Sequence, residues 1–242
     1  MEVTWRFHHE NWDEPWASDD FPVGESKQEI RQRIRRLKSE PWWDDTTNTI
    51  VRFLQDELPY QWPWGYTIYR TVYTPESSQH WKATTEAIPK HVYASAKGQL
   101  NNEKPSRIFQ EGYRPLIFDD QAQFDGVTLD EVRRHFKAFR NSDNGDTGVR
   151  FRFCLVIDEG ALQSIIQHPE PQKPSQNGAW VTVIDPDYTR GGSYNTRYYP
   201  GYFRIHLNDL WRLTYLGDAL ELDEVCGKMK GADDIPWFDS EI

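Results

Sequence analysis

VRFRFCLVID (residues 149–158) and WVTVIDPDY (residues 180–188) decide the fold. Both are runs of β-branched and aromatic residues, the composition of buried strands. Each closes on carboxylates, Asp158 with Glu159 in the first and Asp185 with Asp187 in the second. Strand ends are where open α/β sheets present their chemistry. Between the two strands, ALQSIIQ (161–167) predicts a short helix and PEPQKPSQNG (169–178) a flexible loop. Downstream, the Gly- and Tyr-rich TRGGSYNTRYYPGY (189–202) leads into FRIHLNDLWRL (203–213).

Working back toward the N-terminus, GYTIYRTVY (65–73) reads as another strand, followed by a helix with Thr74 as cap and Pro75 in its first turn. Pro89 is expected to kink or split that helix. Residues 98–110 read as an exposed loop, and YRPLIFDD (113–120) as a short edge strand, because Pro115 cannot donate to a ladder. Thr128 to Glu131 forms a capping box for a helix striped with Leu129, Val132, Phe136 and Phe139. A turn-rich loop over 141–148 then leads back into VRFRFCLVID.

Ser26 to Glu29 is an earlier capping box, opening a helix with Ile30, Ile34 and Leu37 on one face and Pro41 at its end. A second helix is expected over 47–58. Residues 1–25, with Trp5, Trp12 and Trp16, read as an extended arm anchored by its indoles. The sum is an α+β fold: a mixed or ferredoxin-like sheet packed with helices, plus a helical N-terminal extension. The expected organisation is an arm and helices over 1–60, an α+β core over 61–225, and a tail over 226–242 whose Trp237 and Phe238 pack back on the core.

The chain has 242 residues, enough for one large domain, and 37% hydrophobic content with 11 Trp, 12 Tyr and 12 Phe. The core is therefore expected to be built around aromatics. No apolar run reaches the roughly 20 residues of a membrane span, and MEVTWRFHHENW lacks the layout of a secretory signal. Cys154 and Cys226 supply neither a disulfide framework nor a metal cluster. A soluble, cytoplasmic protein without membrane partner or cofactor is the expectation. A net charge of −10 opposes general affinity for nucleic acid. The basic residues are nevertheless bunched, Arg31, Arg33, Arg35, Arg36 and Lys38 on the first helix and Arg133, Arg134, Lys137 and Arg140 on a later one. Each bunch is either a solvated face or a place for an RNA backbone.

Each candidate site residue has a plainer role beside its chemical one. Asp158 and Glu159 can act as acid and base or bind a cation, and Asp158 can equally cap the helix after it. Asp185 and Asp187 can hold a substrate or a divalent ion, while Pro186 between them marks a turn. Tyr188, Arg190 and the loop that follows can close over a ligand or form a mobile surface. His206 can serve as a general base or be satisfied within its strand. Tyr69 and Arg70 alternate across their strand, and an inward Arg70 requires a carboxylate, as a buried ion pair or as part of a pocket.

PWGYTIYRTVYTPESSQHW (63–81), GVRFRFCLVIDEGAL (148–162), WVTVIDPDY and YFRIHLNDLW (202–211), in order over residues 60–225, resemble a widespread uncharacterised family of filamentous-fungal proteins. That family in turn is similar to the arginine-containing cyclodipeptide synthases. The resemblance implies a small biosynthetic enzyme joining amino acids delivered on tRNA into a diketopiperazine, with aminoacyl-tRNA as partner. It implies three devices. These are a basic face for tRNA from the first helix, an acidic pocket for guanidinium among Asp158, Glu159, Asp185 and Asp187, and a proton-moving group in His206 or Tyr69. Two other classes fit the composition: a cofactor-free cyclase or isomerase with an aromatic pocket, and an interaction protein using exposed aromatics.

Overall fold

A computed structural model of the chain describes residues 27–58, 63–142, 148–171, 178–190, 192, 199–216, 220–227 and 235–239. The expected arm, the capping Ser26, the centre of the Pro-rich loop and most of the Gly- and Tyr-rich loop lie outside them. In chain order the elements are α1 (Lys27–Leu37), α2 (Thr49–Glu57), β1 (Thr67–Arg70), α3 (Pro75–Ser95), α4 (Glu103–Glu111), β2 (Leu116–Phe118), α5 (Gln121–Phe124) and α6 (Leu129–Ser142). They continue with α7 (Val149–Arg152), β3 (Cys154–Ile157), α8 (Glu159–Gln167), β4 (Trp180–Ile184), β5 (Tyr202–His206) and α9 (Leu210–Leu216).

The fold is α+β, with a five-stranded mixed sheet in the order β2-β1-β3-β4-β5. The three strands β2, β1 and β3 run parallel, whereas β4 is antiparallel to both β3 and β5. Of the two expected arrangements, the mixed sheet is the one formed. Side-chain alternation gives it two faces. Ile68, Leu155, Val181, Phe203 and Ile205 point into a large core with α2, α3, α4, α8 and α9. Tyr69, Cys154, Val156 and Ile184 point into a smaller one with Phe124 of α5, Phe136 and Phe139 of α6 and Phe151 of α7. Leu37 of α1 and Phe53 of α2 belong to the first core. Phe53 sets its edge against Trp64, Phe109 and Trp211.

Local chemistry fixes most helix starts. The Asn48 carboxamide accepts the Ile50 and Val51 amides, and the Thr74 hydroxyl accepts the Ser77 amide. Thr128 and Glu131 form the reciprocal box expected of them, at 2.8 and 3.3 Å. The end strand β5 is covered by the tail: Arg204 N–H donates to the Pro236 carbonyl and Phe238 N–H to the Arg204 carbonyl, both at 2.7 Å. Phe238 joins the first core, and Trp237 lies over the second face against His206. No helix among the described residues is long and apolar enough to cross a membrane.

Three expectations are corrected. Residues 98–110 hold a 3-10 turn and α4 rather than a loop. Pro105 falls in the first turn of α4, where its missing N–H removes no helical bond. Val149 to Arg152 is a helical turn, and the strand starts only at Cys154. Here Glu57 takes the Val149 amide at 3.0 Å and Phe151 stacks on Phe139, which the alternating sequence does not reveal. Pro89, expected to kink or split α3, does not split it: the helix runs unbroken from Pro75 to Ser95, with Ala87, Ile88 and Val92 buried around the proline.

Candidate functional site

The sheet orientation decides which candidates meet. Because β3 and β4 are antiparallel, with Cys154 opposite Ile184 and Val156 opposite Thr182, the carboxyl ends of the two strands lie at opposite edges. Asp158 and Glu159 are at one edge, and Asp185 and Asp187 at the other. The four carboxylates therefore line no common pocket. Asp158 is the N-cap of α8, accepting the Ala161 amide at 2.8 Å. Glu159 is exposed and holds the Gln163 amide group at 2.9 Å.

At the opposite edge, Asp185 accepts the Asp187 amide at 2.8 Å and the Tyr199 hydroxyl at 3.1 Å. Burial pushes its carboxyl above the ordinary range, against the pull of those two donors. Asp187 is paired with both terminal nitrogens of Arg140, at 2.8 and 2.5 Å, and this hydrogen bonding holds its carboxyl below the ordinary range. Arg133 locks the same turn from α6, donating to the carbonyls of Asp185, Pro200 and Gly201 and lying 4.8 Å over the Tyr188 ring. Tyr188 thus packs against a structural arginine, and Arg190 is exposed. Among the described residues no His, Cys, Asp and Glu gather in threes as a metal would require.

Arg70 resolves as an ion pair. At 6% exposure it ends β1 on the side of the larger core. Its guanidinium lies between the rings of Tyr73 and Trp81, at 4.5 and 4.8 Å. It donates to the Val72 carbonyl, to the Ser77 and Ser78 hydroxyls and, at 3.4 Å, to Asp119 just beyond β2. Burial raises the Asp119 carboxyl and the arginine opposes that shift. A carboxyl-edge position where a parallel sheet offers a crevice is here filled by the chain's own cation.

Tyr69, one residue earlier, points the other way. Its ring is fully buried, stacked on Phe118 at 4.7 Å and met edge-on by Phe124 and Phe136. Its hydroxyl is 2.7 Å from Nδ1 of His135, which α6 supplies and which is only partly buried. Burial raises the Tyr69 phenol and lowers the His135 imidazole, so both are neutral at neutral pH. In these charge states the pair shares one proton across a short bond inside an aromatic box. His135 was not singled out from the sequence. The one local signal is its place in RRHFKAF beside the buried Phe136 and one turn from Phe139.

His206 lies at the far side of the same face, stacked on Trp237 at 4.6 Å. Its Nδ1 is buried without a hydrogen-bond partner among the described residues. Asp209 follows in the next turn, its carboxyl raised by burial and lowered in part by His206. His206 and Tyr69 stand in different rows on strands separated by β3 and β4, so they do not act on one atom.

The basic helices also separate. Arg31, Arg35, Arg36 and Lys38 are exposed on α1, whereas Arg33 is buried at 8%. Since α1 reaches the first core through Leu37 and α6 covers the second, the two sets of cations belong to opposite faces. On α6, Arg133 and Arg140 are committed internally, Arg134 lies 3.8 Å from Glu131, and Lys137 is exposed. No protein-family model matches the chain, and no curated protein or solved structure is detectably similar to it.

Proposed function

We propose that the chain is a small biosynthetic enzyme acting by proton transfer on a small molecule, a cyclase or isomerase in reaction class, with His135 as the exchanging base and Tyr69 as the residue that fixes its ring and tautomer. The observation that carries this reading is the 2.7 Å contact between the two side chains inside the aromatic box. With Nδ1–H donating to the phenol oxygen, the buried Nε2 keeps the lone pair that accepts a proton, and the phenol holds the ring in one orientation. Surrounding Phe118 and Phe124 offer the apolar wall that a hydrocarbon or aromatic substrate requires. Among the described residues the large hydrophobic classed as exposed is Tyr215, at 37%, which gives little support to a flat aromatic docking patch.

A second reading, tRNA-dependent formation of an arginine-containing cyclodipeptide, is favoured by the exposed stripe of Arg31, Arg35, Arg36 and Lys38 and by the resemblance of residues 60–225. Mass spectrometry of bacteria and of a filamentous fungus expressing the chain separates the two. A new product that disappears with His135→Gln and persists when Arg31, Arg35 and Lys38 are changed to Glu supports proton transfer. Arginine-containing cyclic dipeptides that disappear with the charge reversal support the second reading. Unchanged extracts from both hosts, with the folded protein abundant, defeat both.

A further inference from the structure

On the face that carries Tyr69, the outer end formed by β4 and β5 holds buried polar atoms without a hydrogen-bond partner among the described residues. Thr182 is 0% exposed, and its hydroxyl has no hydrogen-bond partner. Arg204 is its cross-strand neighbour, and Nε of that arginine is likewise buried and unpartnered. His206 lies two residues further along the same face with the buried, unpartnered Nδ1. The backbone of Arg204 turns its N–H and C=O toward the tail, so Thr182 and Arg204 form a non-hydrogen-bonded pair, the kind in which facing side chains lie closest. Buried polar groups without partners are uncommon in native proteins, and three side by side call for an explanation.

The walls of this place are aromatic. The Trp180 and Trp237 rings are 6.1 Å apart and inclined at 72°. The Arg204 guanidinium lies 4.4 Å over Trp180, and His206 stacks on Trp237. Among the described residues Arg204 has no carboxylate within ion-pair distance, unlike Arg70, Arg133 and Arg140. We propose that this end of the sheet binds a small aromatic carboxylate. The carboxylate takes the guanidinium and the Thr182 hydroxyl, and the ring takes the part of the Trp180 and Trp237 indoles that Arg204 and His206 leave exposed. A cationic ligand is opposed by Arg204. The site is separate from the Tyr69–His135 pair and stands whether or not that pair is catalytic. The two share one transverse row of the sheet, Tyr69, Val156, Thr182 and Arg204, with Val156 between them.

Titration of the full chain with benzoate, followed by NMR at the indole N–H signals of Trp180 and Trp237, tests the assignment. Benzamide serves as the neutral isostere and inorganic phosphate as the anion without a ring. Benzoate is expected to move both signals saturably, with benzamide and the Arg204→Gln variant each weaker by about tenfold, the value of one charge-assisted bond. Thr182→Val, close in shape and needing no new packing, is expected to weaken benzoate by a few-fold while leaving the spectrum folded. No saturable shift with benzoate, equal binding of benzamide, or undiminished binding by a folded Thr182→Val protein overturns the proposal. Phosphate binding as tightly as benzoate overturns the aromatic part.

Discussion

The two faces of the sheet differ in what they bury. The strand residues Ile68, Leu155, Val181, Phe203 and Ile205 make an apolar face, and its buried polar groups have partners, Arg70 with Asp119, Ser77 and Ser78 and the Tyr66 hydroxyl with Thr214 at 2.7 Å. The opposite face carries the Tyr69–His135 pair, the Thr182 hydroxyl, Arg204 and His206 among aromatic rings. Burial of unpartnered polar groups costs stability. Within the strands the unpartnered groups fall on the second face, while off the strands the first core also buries the Trp42 indole nitrogen and the Tyr113 hydroxyl without a hydrogen-bond partner among the described residues.

A deletion on the first face is the most direct way to break this contrast. Leu155→Ala in the central strand removes a fully buried side chain and is expected to destabilise by about 3 kcal/mol in urea unfolding. A loss below about 1 kcal/mol would mean that this core is not the one that holds the sheet. Tyr69→Phe removes one buried hydrogen bond and keeps the ring, so about 1–1.5 kcal/mol is expected. Turnover of the product from the metabolite screen should fall far more than such a change in folding allows. Equal activity in folded Tyr69→Phe protein would leave the pair a structural bond.

The same pair predicts a pH dependence. Burial lowers the His135 pKa in the folded chain, so between that value and the unfolded value near 6.5 the unfolded chain binds the extra proton. Its contribution is intact above the unfolded value and is lost as pH falls toward the folded one. Asp119, Asp185 and Asp209, raised by burial, act with the opposite sign. Their stability is intact below the ordinary carboxylate range and is lost as pH rises through their folded values. Comparing wild type with His135→Asn at each pH subtracts the carboxylates. A shallower acid loss in the variant is expected below about pH 6.5, and parallel curves would contradict the buried neutral imidazole.

What was legible in the sequence is what short-range chemistry fixes. Thr128 with Glu131 and Thr74 with Pro75 act within one helical turn, and both did so. The inward Arg70 announced that it needed a carboxylate. Its identity as Asp119 follows only from the parallel pairing of β1 with β2, 49 residues away. The alternation of Val149, Phe151 and Phe153 reads as strand, and a contact from Glu57, 92 residues earlier, turns its first part into helix. The orientation of β4 was likewise beyond local reading, and it separates Asp158 from Asp185 and leaves the expected acidic pocket unassembled. His135 escaped for the same reason: only the docking of α6 on β1 brings it to Tyr69.

Two smaller effects sharpen the contrast. The Asp187–Arg140 pair is two-thirds exposed on the carboxylate side, so Arg140→Gln should cost only about 0.5–1 kcal/mol, less in high salt. Thr182→Val is expected to move stability the other way. The hydroxyl is buried and unpartnered, and a methyl of the same shape removes its desolvation cost, giving a gain of up to about 1 kcal/mol in ligand-free protein. Adding benzoate should narrow that gain, because only the wild-type chain offers the hydroxyl to the carboxylate. A loss of stability on Thr182→Val in the absence of ligand would mean that the hydroxyl already has a partner within the fold. The second face would then be as self-sufficient as the first.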